Sequence, residues 1–221
     1  MQHKLKILKT EFVTHDTKLF QVQKPKNYSF IPGQATDLAI NLPNYKDKKC
    51  PFTFSSLNSD NYLEFIIKIY KERNGLTKKL LDIKKGDELI IEEPSGTIQY
   101  QGSGIFIAGG AGITPFIAIL RQLKNQNNLD NHALLFSNKT EEDIILKDEF
   151  DNMKELKKIY TLTKEQNEKY EQGRINESFL RKHIKNFKQN FYICGPVTLV
   201  GELAYILQKL GVNPESIVVE S

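Results

Sequence analysis

Two short segments carry residue types at a spacing that could hold a phosphate chain and set a thiol beside it. Gly110-Ala111-Gly112-Ile113-Thr114-Pro115 follows the apolar run Ile105-Phe106-Ile107-Ala108 and opens a stretch with helical apolar spacing at Phe116, Ile119, Leu120 and Leu123. Glycines at such a turn let the backbone approach a pyrophosphate, and the N–H groups at a helix start face its charge. Pro115 in the first helical turn gives up an N–H that has no partner there. By itself the segment also reads as a tight structural turn. Its third position is Pro rather than Gly, which departs from the dehydrogenase fingerprint. Cys194-Gly195-Pro196 ends the run Phe191–Cys194 at its carboxyl end, where ligands gather in open α/β sheets. A buried Cys before Gly-Pro also serves as a small packed residue. Phe136-Ser137-Asn138-Lys139-Thr140 closes another strand-like run, where the ribose of a dinucleotide is expected. Lys139 either meets a ribose 2′-phosphate or is one more solvated lysine. No arginine fork, the better phosphate reader, accompanies it, so a dinucleotide with or without that phosphate stays open.

The elements that must position these groups fall into two sets. Residues 1–100 read as short strands punctuated by Pro25, Pro32, Gly33, Pro43, Gly75, Gly86, Pro94 and Gly96. Leu5, Ile7 and Lys9 alternate imperfectly, and Leu63–Tyr70 and Leu89–Ile91 are stronger β runs, with one short helix near Leu76–Leu81. Frequent turns between short strands predict a small antiparallel barrel. Residues 101–221 alternate strand runs (Ile105–Ala108, Ala133–Phe136, Ile159–Leu162, Phe191–Cys194, Ile217–Val219) with helical stretches (Pro115–Lys124, Glu141–Phe150, Ser178–Ile184, Val197–Leu210). That alternation predicts a doubly wound parallel sheet. The polar stretch Thr163–Gly173 reads as a loop, and the boundary is placed near Gln99–Gly104.

In order, Pro32-Gly33-Gln34, Cys50-Pro51-Phe52-Thr53, Gly75-Leu76-Thr77, Gly110–Pro115 and Cys194-Gly195-Pro196 resemble the elements of the ferredoxin–NADP reductase superfamily, from about Phe12 to Ser221. The resemblance implies a Greek-key β-barrel holding flavin, then a nicotinamide-binding α/β domain. In the superfamily an Arg-x-Tyr-Ser/Thr motif lies on a barrel strand, and Cys50-Pro51-Phe52-Thr53 matches it here. Thr53 then approaches the reactive flavin nitrogen and Phe52 supplies the aromatic platform without a phenol oxygen. Cys50 stands where an arginine meets the flavin pyrophosphate, and Lys48 and Lys49 are the adjacent cations. Gly75, Leu76 and Thr77 resemble the second phosphate element. Pro32-Gly33-Gln34 matches an early structural turn. Gly110, Gly112, Thr114 and Pro115 fall on the nicotinamide dinucleotide, and Cys194, Gly195 and Pro196 lie beside the nicotinamide ring. Glu220 fits a glutamate next to that cysteine, although a frayed terminus is the plain alternative. Gly173-Arg174 resembles a recurrent element of no assigned role.

The resemblance implies an NAD(P)H-dependent flavoprotein reductase with FAD. Hydride passes from nicotinamide to flavin, and single electrons then leave for a separate carrier such as flavodoxin or ferredoxin. Alternatives are the reductase component of an oxygenase or haem system, and a cofactor-sensing subunit without turnover, which Cys50 keeps open. Cys50 and Cys194 are too few to hold an iron–sulfur cluster, and His3, His15, His132 and His183 show no ligand spacing, so no metal site is expected. Residues 1–100 hold 16 Lys and Arg against 12 Asp and Glu, and residues 101–221 hold 15 against 15. The basic excess reads as a solvated surface, or as a face that steers an acidic carrier. Interleaved acids argue against nucleic acid. No apolar run spans a bilayer and no signal-peptide core is present, so a cytoplasmic location without membrane insertion is the expectation.

Overall fold

The protein is described by a computed structural model that covers residues 1–96 and 98–220. Its residues cluster into two compact units. The first holds Met1–Gly96 together with Thr114–Gln122, and the second holds the rest.

In the first unit, strands β1 (His3–Thr14), β2 (Thr17–Gln23), β3 (Ala35–Ile40), β4 (Cys50–Thr53), β5 (Tyr62–Lys68) and β6 (Glu88–Ile91) pair antiparallel in the order β4-β3-β6-β1-β2-β5. A bridge between Phe54 and Phe65 joins the two ends, closing the Greek-key barrel. The bridge covers part of the edge that β4 and β5 would otherwise leave bare. Strand alternation fills the interior with Phe20, Val22, Leu38, Ile40, Leu63, Phe65, Leu89 and Ile91. Phe54 stacks on Phe30 at 4.3 Å between ring centroids, plugging the seam. The imperfect alternation near the N-terminus has a cause. The β1–β2 register shifts between Ile7 and Lys9, a bulge that leaves Leu8 exposed while Leu5 and Ile7 stay buried.

Helix α1 (Leu76–Leu80) buries Leu76 and Leu80 in the barrel core. Its carboxyl end is capped from β2. Lys18, only 6 % exposed, donates to the carbonyls of Leu80 (3.3 Å), Leu81 (3.0 Å) and Ile83 (2.6 Å). Burial pushes its ammonium below the ordinary lysine value, against the pull of Asp82 and Asp87. A cation at a helix C-terminus meets the negative end of the macrodipole and satisfies orphan carbonyls.

The second unit is built on six parallel strands, with order β10-β9-β8-β7-β11-β12. These are β7 (Gly104–Gly109), β8 (Ala133–Asn138), β9 (Lys157–Leu162), β10 (Glu171–Gln172), β11 (Asn190–Cys194) and β12 (Ile217–Val219). β7 is buried along its whole length, as a strand covered on both faces must be. One face packs on α4 (Glu177–His183) and α5 (Val197–Lys209) through Phe179, Leu180, Leu203 and Leu207. On the other, Phe136 meets Phe150 of α3 (Lys147–Asp151) edge to face. Strand order reverses between β7 and β11, the topological switch point of this fold. Helix α2 (Thr114–Asn125) follows β7 through a 3₁₀ turn at Gly110–Ile113.

Two sequence expectations are corrected. The helix expected over Glu141–Phe150 is broken. The Asp143 carboxylate folds back onto the N–H and hydroxyl of Thr140, a capping box that starts a 3₁₀ turn at Glu141–Asp143, and the chain turns extended at Ile144. Leu146 then takes a left-handed conformation (φ 53°) before α3 starts. The expected loop Thr163–Gly173 contains strand β10, held by pairing to β9 that no local apolar pattern announces. Among the described residues no helix is long and apolar enough to cross a membrane.

Lys18→Met keeps the apolar stem and removes all three carbonyl bonds. We expect a loss of about 2–4 kcal/mol in unfolding free energy, read as a lower urea midpoint at unchanged slope. An unchanged midpoint would show that water satisfies those carbonyls equally well.

Candidate functional site

The carboxyl ends of β7 and β11 lie side by side, with Ala108 paired to Cys194. Their turns interlock through missing side chains. A Cβ on Gly112 would stand 2.3 Å from the Cys194 carbonyl oxygen, closer than any real contact allows. A Cβ on Gly195 would press on the Gly109 backbone at 3.1–3.3 Å, and one on Gly109 would touch Pro196 at 3.1 Å. Gly112, Gly195 and Pro196 therefore fit the two turns together. Gly110 differs: it is left-handed (φ +54°) and no atom lies within 4 Å of its absent side chain. The open backbone at the switch point is there, followed by Thr114 and Pro115 at the head of α2.

Cys194 is 6 % exposed, and its Sγ lies 3.4 Å from Oε2 of Glu220. Burial first, then the neighbouring carboxylate, pushes the thiol far above its ordinary value. The thiol is therefore protonated at neutral pH and donates to Glu220. It is no nucleophile, because only the thiolate attacks. On the next strand Lys139 is exposed just past Asn138. The amide of Asn138 is buried with neither its nitrogen nor its oxygen satisfied among the described residues. Arg174 is exposed after the left-handed Gly173.

In the first unit, β4 presents Cys50 and Phe52 on one face, both half-buried against the barrel core. Thr53 is buried and pairs with Ala35 of β3. Gly33 (φ +103°) makes the Pro32-Gly33-Gln34 turn, and the Gln34 carbonyl accepts from Phe54 N–H at 3.1 Å, fixing the end of β4. Gly75 caps α1 in extended conformation, with nothing within 4 Å of an added Cβ. Leu76 is buried in the barrel core that Cys50 and Phe52 also pack against. The two cations offered by sequence as substitutes for the missing arginine are otherwise engaged. Lys49 pairs with Glu92 at 2.5 Å, and Lys48 lies 4.9 Å over the Tyr45 ring.

Neither unit's open elements conflict with the two cofactors. A bare glycine backbone stands at Gly75 and at Gly110, each ahead of a helix, and the half-exposed Phe52 ring adjoins the buried Thr53. Against the motif expected from sequence, the strand carries no guanidinium at Cys50 and no phenol oxygen at Phe52. Sequence reasoning missed Lys18, Glu64 and Arg121. The partners of Lys18 and the Arg121–Glu64 pair lie 57–66 residues apart along the chain, and no local signal marks them.

Comparison with known proteins matches the family description "Oxidoreductase FAD-binding domain" over residues 4–100 and "Oxidoreductase NAD-binding domain" over residues 106–204. The chain is 26% identical to NADH-cytochrome b5 reductase 2 of Danio rerio, over 98% of this chain and 84% of that protein. Among solved structures, the CS-b5R domains of human Ncb5or in its NAD+ form superpose with a TM-score of 0.87 at 26% identity, covering 99% of this chain and 69% of that one. The fold is shared with a ferredoxin NADP+ reductase from Neisseria gonorrhoeae with bound FAD and NADP, at a TM-score of 0.86 and 18% identity, covering 99% and 97%. With both domain families matched in this order on a closed barrel and a parallel sheet, the chain is an oxidoreductase of the ferredoxin–NADP reductase superfamily, with an FAD-binding and an NAD(P)-binding domain.

Proposed function

We propose that this reductase takes electrons from NADH and delivers them singly to a separate haem carrier protein. The observation that favours a haem carrier is the similarity, over 98% of the chain, to an NADH-cytochrome b5 reductase. Flavodoxin or ferredoxin is the second reading, favoured by the fold shared with a ferredoxin reductase along 97% of that chain. Bound FAD supplies the conversion between a two-electron hydride and single electrons. The chain's own residues bind and orient. Gly110 and the head of α2 receive the dinucleotide phosphates. The protonated Cys194 thiol, held by Glu220, offers the nicotinamide a compact neutral wall. Phe52 and Thr53 hold the flavin, with Gly75-Leu76-Thr77 at its phosphates. Rate then comes from proximity and orientation rather than covalent chemistry. NADH is the favoured donor, because Lys139 stands without an arginine fork. The purified protein should be yellow and bleach with NADH anaerobically, then reoxidise with cytochrome b5 faster than with flavodoxin or ferredoxin. A colourless protein that takes up neither FAD nor FMN would sink the reductase reading. Faster reoxidation by flavodoxin or ferredoxin would replace the haem carrier.

The Cys194–Glu220 pair gives a second test. Cys194→Ala and Glu220→Ala should slow flavin reduction at saturating NADH while flavin content stays unchanged. Stopped-flow bleaching reads the rate. Equal rates in both variants and the parent would remove the pair from the site.

Position 50 gives a third. A charge-assisted hydrogen bond contributes about 1.5–3 kcal/mol, so Cys50→Arg should tighten flavin retention on dialysis by about 10- to 150-fold. The gain should shrink at high salt. Lys49→Ala should leave retention unchanged, because that lysine is held by Glu92. Unchanged or poorer retention in Cys50→Arg would show that the phosphates do not pass this strand.

A further inference from the structure

The barrel wall is broken where β1 passes from one neighbour to the other. β1 pairs with β2 from Ile7 to Thr14 and with β6 from His3 to Lys6. The Ile7 N–H donates to the Asp87 carbonyl at 2.8 Å, and the Ile7 carbonyl accepts from Gly86 N–H at 3.0 Å. The Glu88 carbonyl turns the other way and accepts from Asn41 N–H at 3.0 Å. Successive residues of an antiparallel strand bond to opposite sides. His3 and Leu5 therefore bond toward β6, and Lys4 and Lys6 face away from it. β2 pairs with β1 no further than Val22, opposite Ile7. The Lys6 N–H is met by the Gln23 side-chain oxygen at 3.1 Å instead of by a strand. The backbone N–H and carbonyl of Lys4 have no partner among the described residues.

An open cleft of about 530 Å³ lies along this stretch, lined among others by Lys4, Leu8, Gln23, Lys24, Pro25 and Asn61. Leu8 is the residue that the β1 bulge leaves 40 % exposed. Pro25, just past β2, has no N–H with which to extend the ladder. The cleft is cationic. Lys4 and Lys24 hold no carboxylate among the described residues, and the Lys24 ammonium meets only the carbonyls of Asn58 (2.6 Å) and Asp60 (3.3 Å). Lys9, Lys49, Lys68 and Lys79 of the same unit each hold one. Glu93 lies 3.7 Å from His3, which also lines the cleft.

A bare strand edge is a template for another strand. Lysines along it repel a second copy of this chain and admit a strand of opposite charge. We propose that the cleft beside Lys4 receives an extended acidic segment of a partner protein, added to β1 as a short further strand. The Lys4 N–H and carbonyl bond the backbone of that segment. Its carboxylates reach the Lys4 and Lys24 ammonium groups, and Leu8 offers apolar contact. The surface lies wholly within the first unit and uses none of the elements assigned to flavin or dinucleotide. It stands apart from the reductase reading.

The test uses the full chain and a short fluorescein-labelled peptide of alternating glutamate and valine, followed by anisotropy. Two further peptides serve as controls, one with lysine in place of glutamate and one with its backbone nitrogens methylated. We expect the acidic peptide to bind, more weakly at high salt, and the lysine peptide not to bind. Methylation keeps every charge and removes the strand donors, so it should weaken binding at least about 5-fold. Lys4→Glu should weaken the acidic peptide about 2- to 10-fold. Lys71→Glu makes the same charge change beyond Lys68, at the other end of the β2–β5 pairing from Gln23, and should leave affinity unchanged. Hydrogen exchange by NMR should find the Lys4 amide unprotected in the free protein and slowed in the complex. Failure of the acidic peptide to bind would overturn the proposal. So would full binding of the methylated peptide, or equal losses in Lys4→Glu and Lys71→Glu, since either leaves only diffuse charge attraction. A Lys4 amide already protected in the free protein would show the edge covered and would also overturn it. If Lys4→Glu does not fold, the methylated peptide and the Lys4 exchange rate decide on the parent protein.

Discussion

The site depends on a constraint with almost no room in it: the Cys194 carbonyl occupies the volume that any side chain at position 112 would need. That contact fixes the turn after β7 against the turn after β11 at the reversal of strand order. The turns proposed to receive a nicotinamide dinucleotide are positioned from there. Gly110, two residues earlier, faces open space, so two glycines of one motif do different physical work. The Cys194 thiol, a few atoms from the same carbonyl, inherits its rigidity and its dry surroundings. Those surroundings keep it protonated and bound to Glu220.

The barrel meets its own requirement differently. A closed sheet must satisfy every backbone group at its seam, and α1 ends against it with carbonyls that helical bonding cannot reach. Lys18 reaches three of them from β2. The lysine stem crosses apolar ground between Phe12 and Phe20, which its ammonium faces at 5.8 and 5.2 Å from the ring centroids. The turn at Gly75, proposed for the flavin phosphates, therefore opens a helix whose far end is anchored in the barrel wall.

How much of this was legible in the sequence follows from how each feature is encoded. The barrel-then-sheet fold was legible because turn residues are forced by backbone conformation, as at Gly33 and Gly110, both left-handed. The glycine turns and Cys194-Gly195-Pro196 were legible for the same reason. Strand β10 was not, since two residues bonded to β9 leave no periodic trace. Nor was the break inside Glu141–Phe150, where Ile144 turns extended and Leu146 left-handed against a helical apolar pattern. The pairing of Lys49 with Glu92 was invisible because β4 and β6 are not neighbours in the sheet order. Sequence adjacency to Cys50 suggested a role that the ion pair withdraws.

The same reasoning explains why the chain tolerates charge at Glu64 and dispenses with it at position 50. A carboxylate on the barrel's outer wall must be matched in full, since one unmet lone pair in a dry site costs more than a made bond returns. Gln21, Ser55 and Arg121 match it from three elements, and each is itself locked by the match. Position 50 differs in kind. Its side chain is half-buried against the core, so an apolar thiol there leaves nothing unsatisfied in the protein itself. The fold loses nothing when arginine is absent. Only a ligand bearing charge at that strand would register the difference, and so the two positions separate what folding requires from what binding requires.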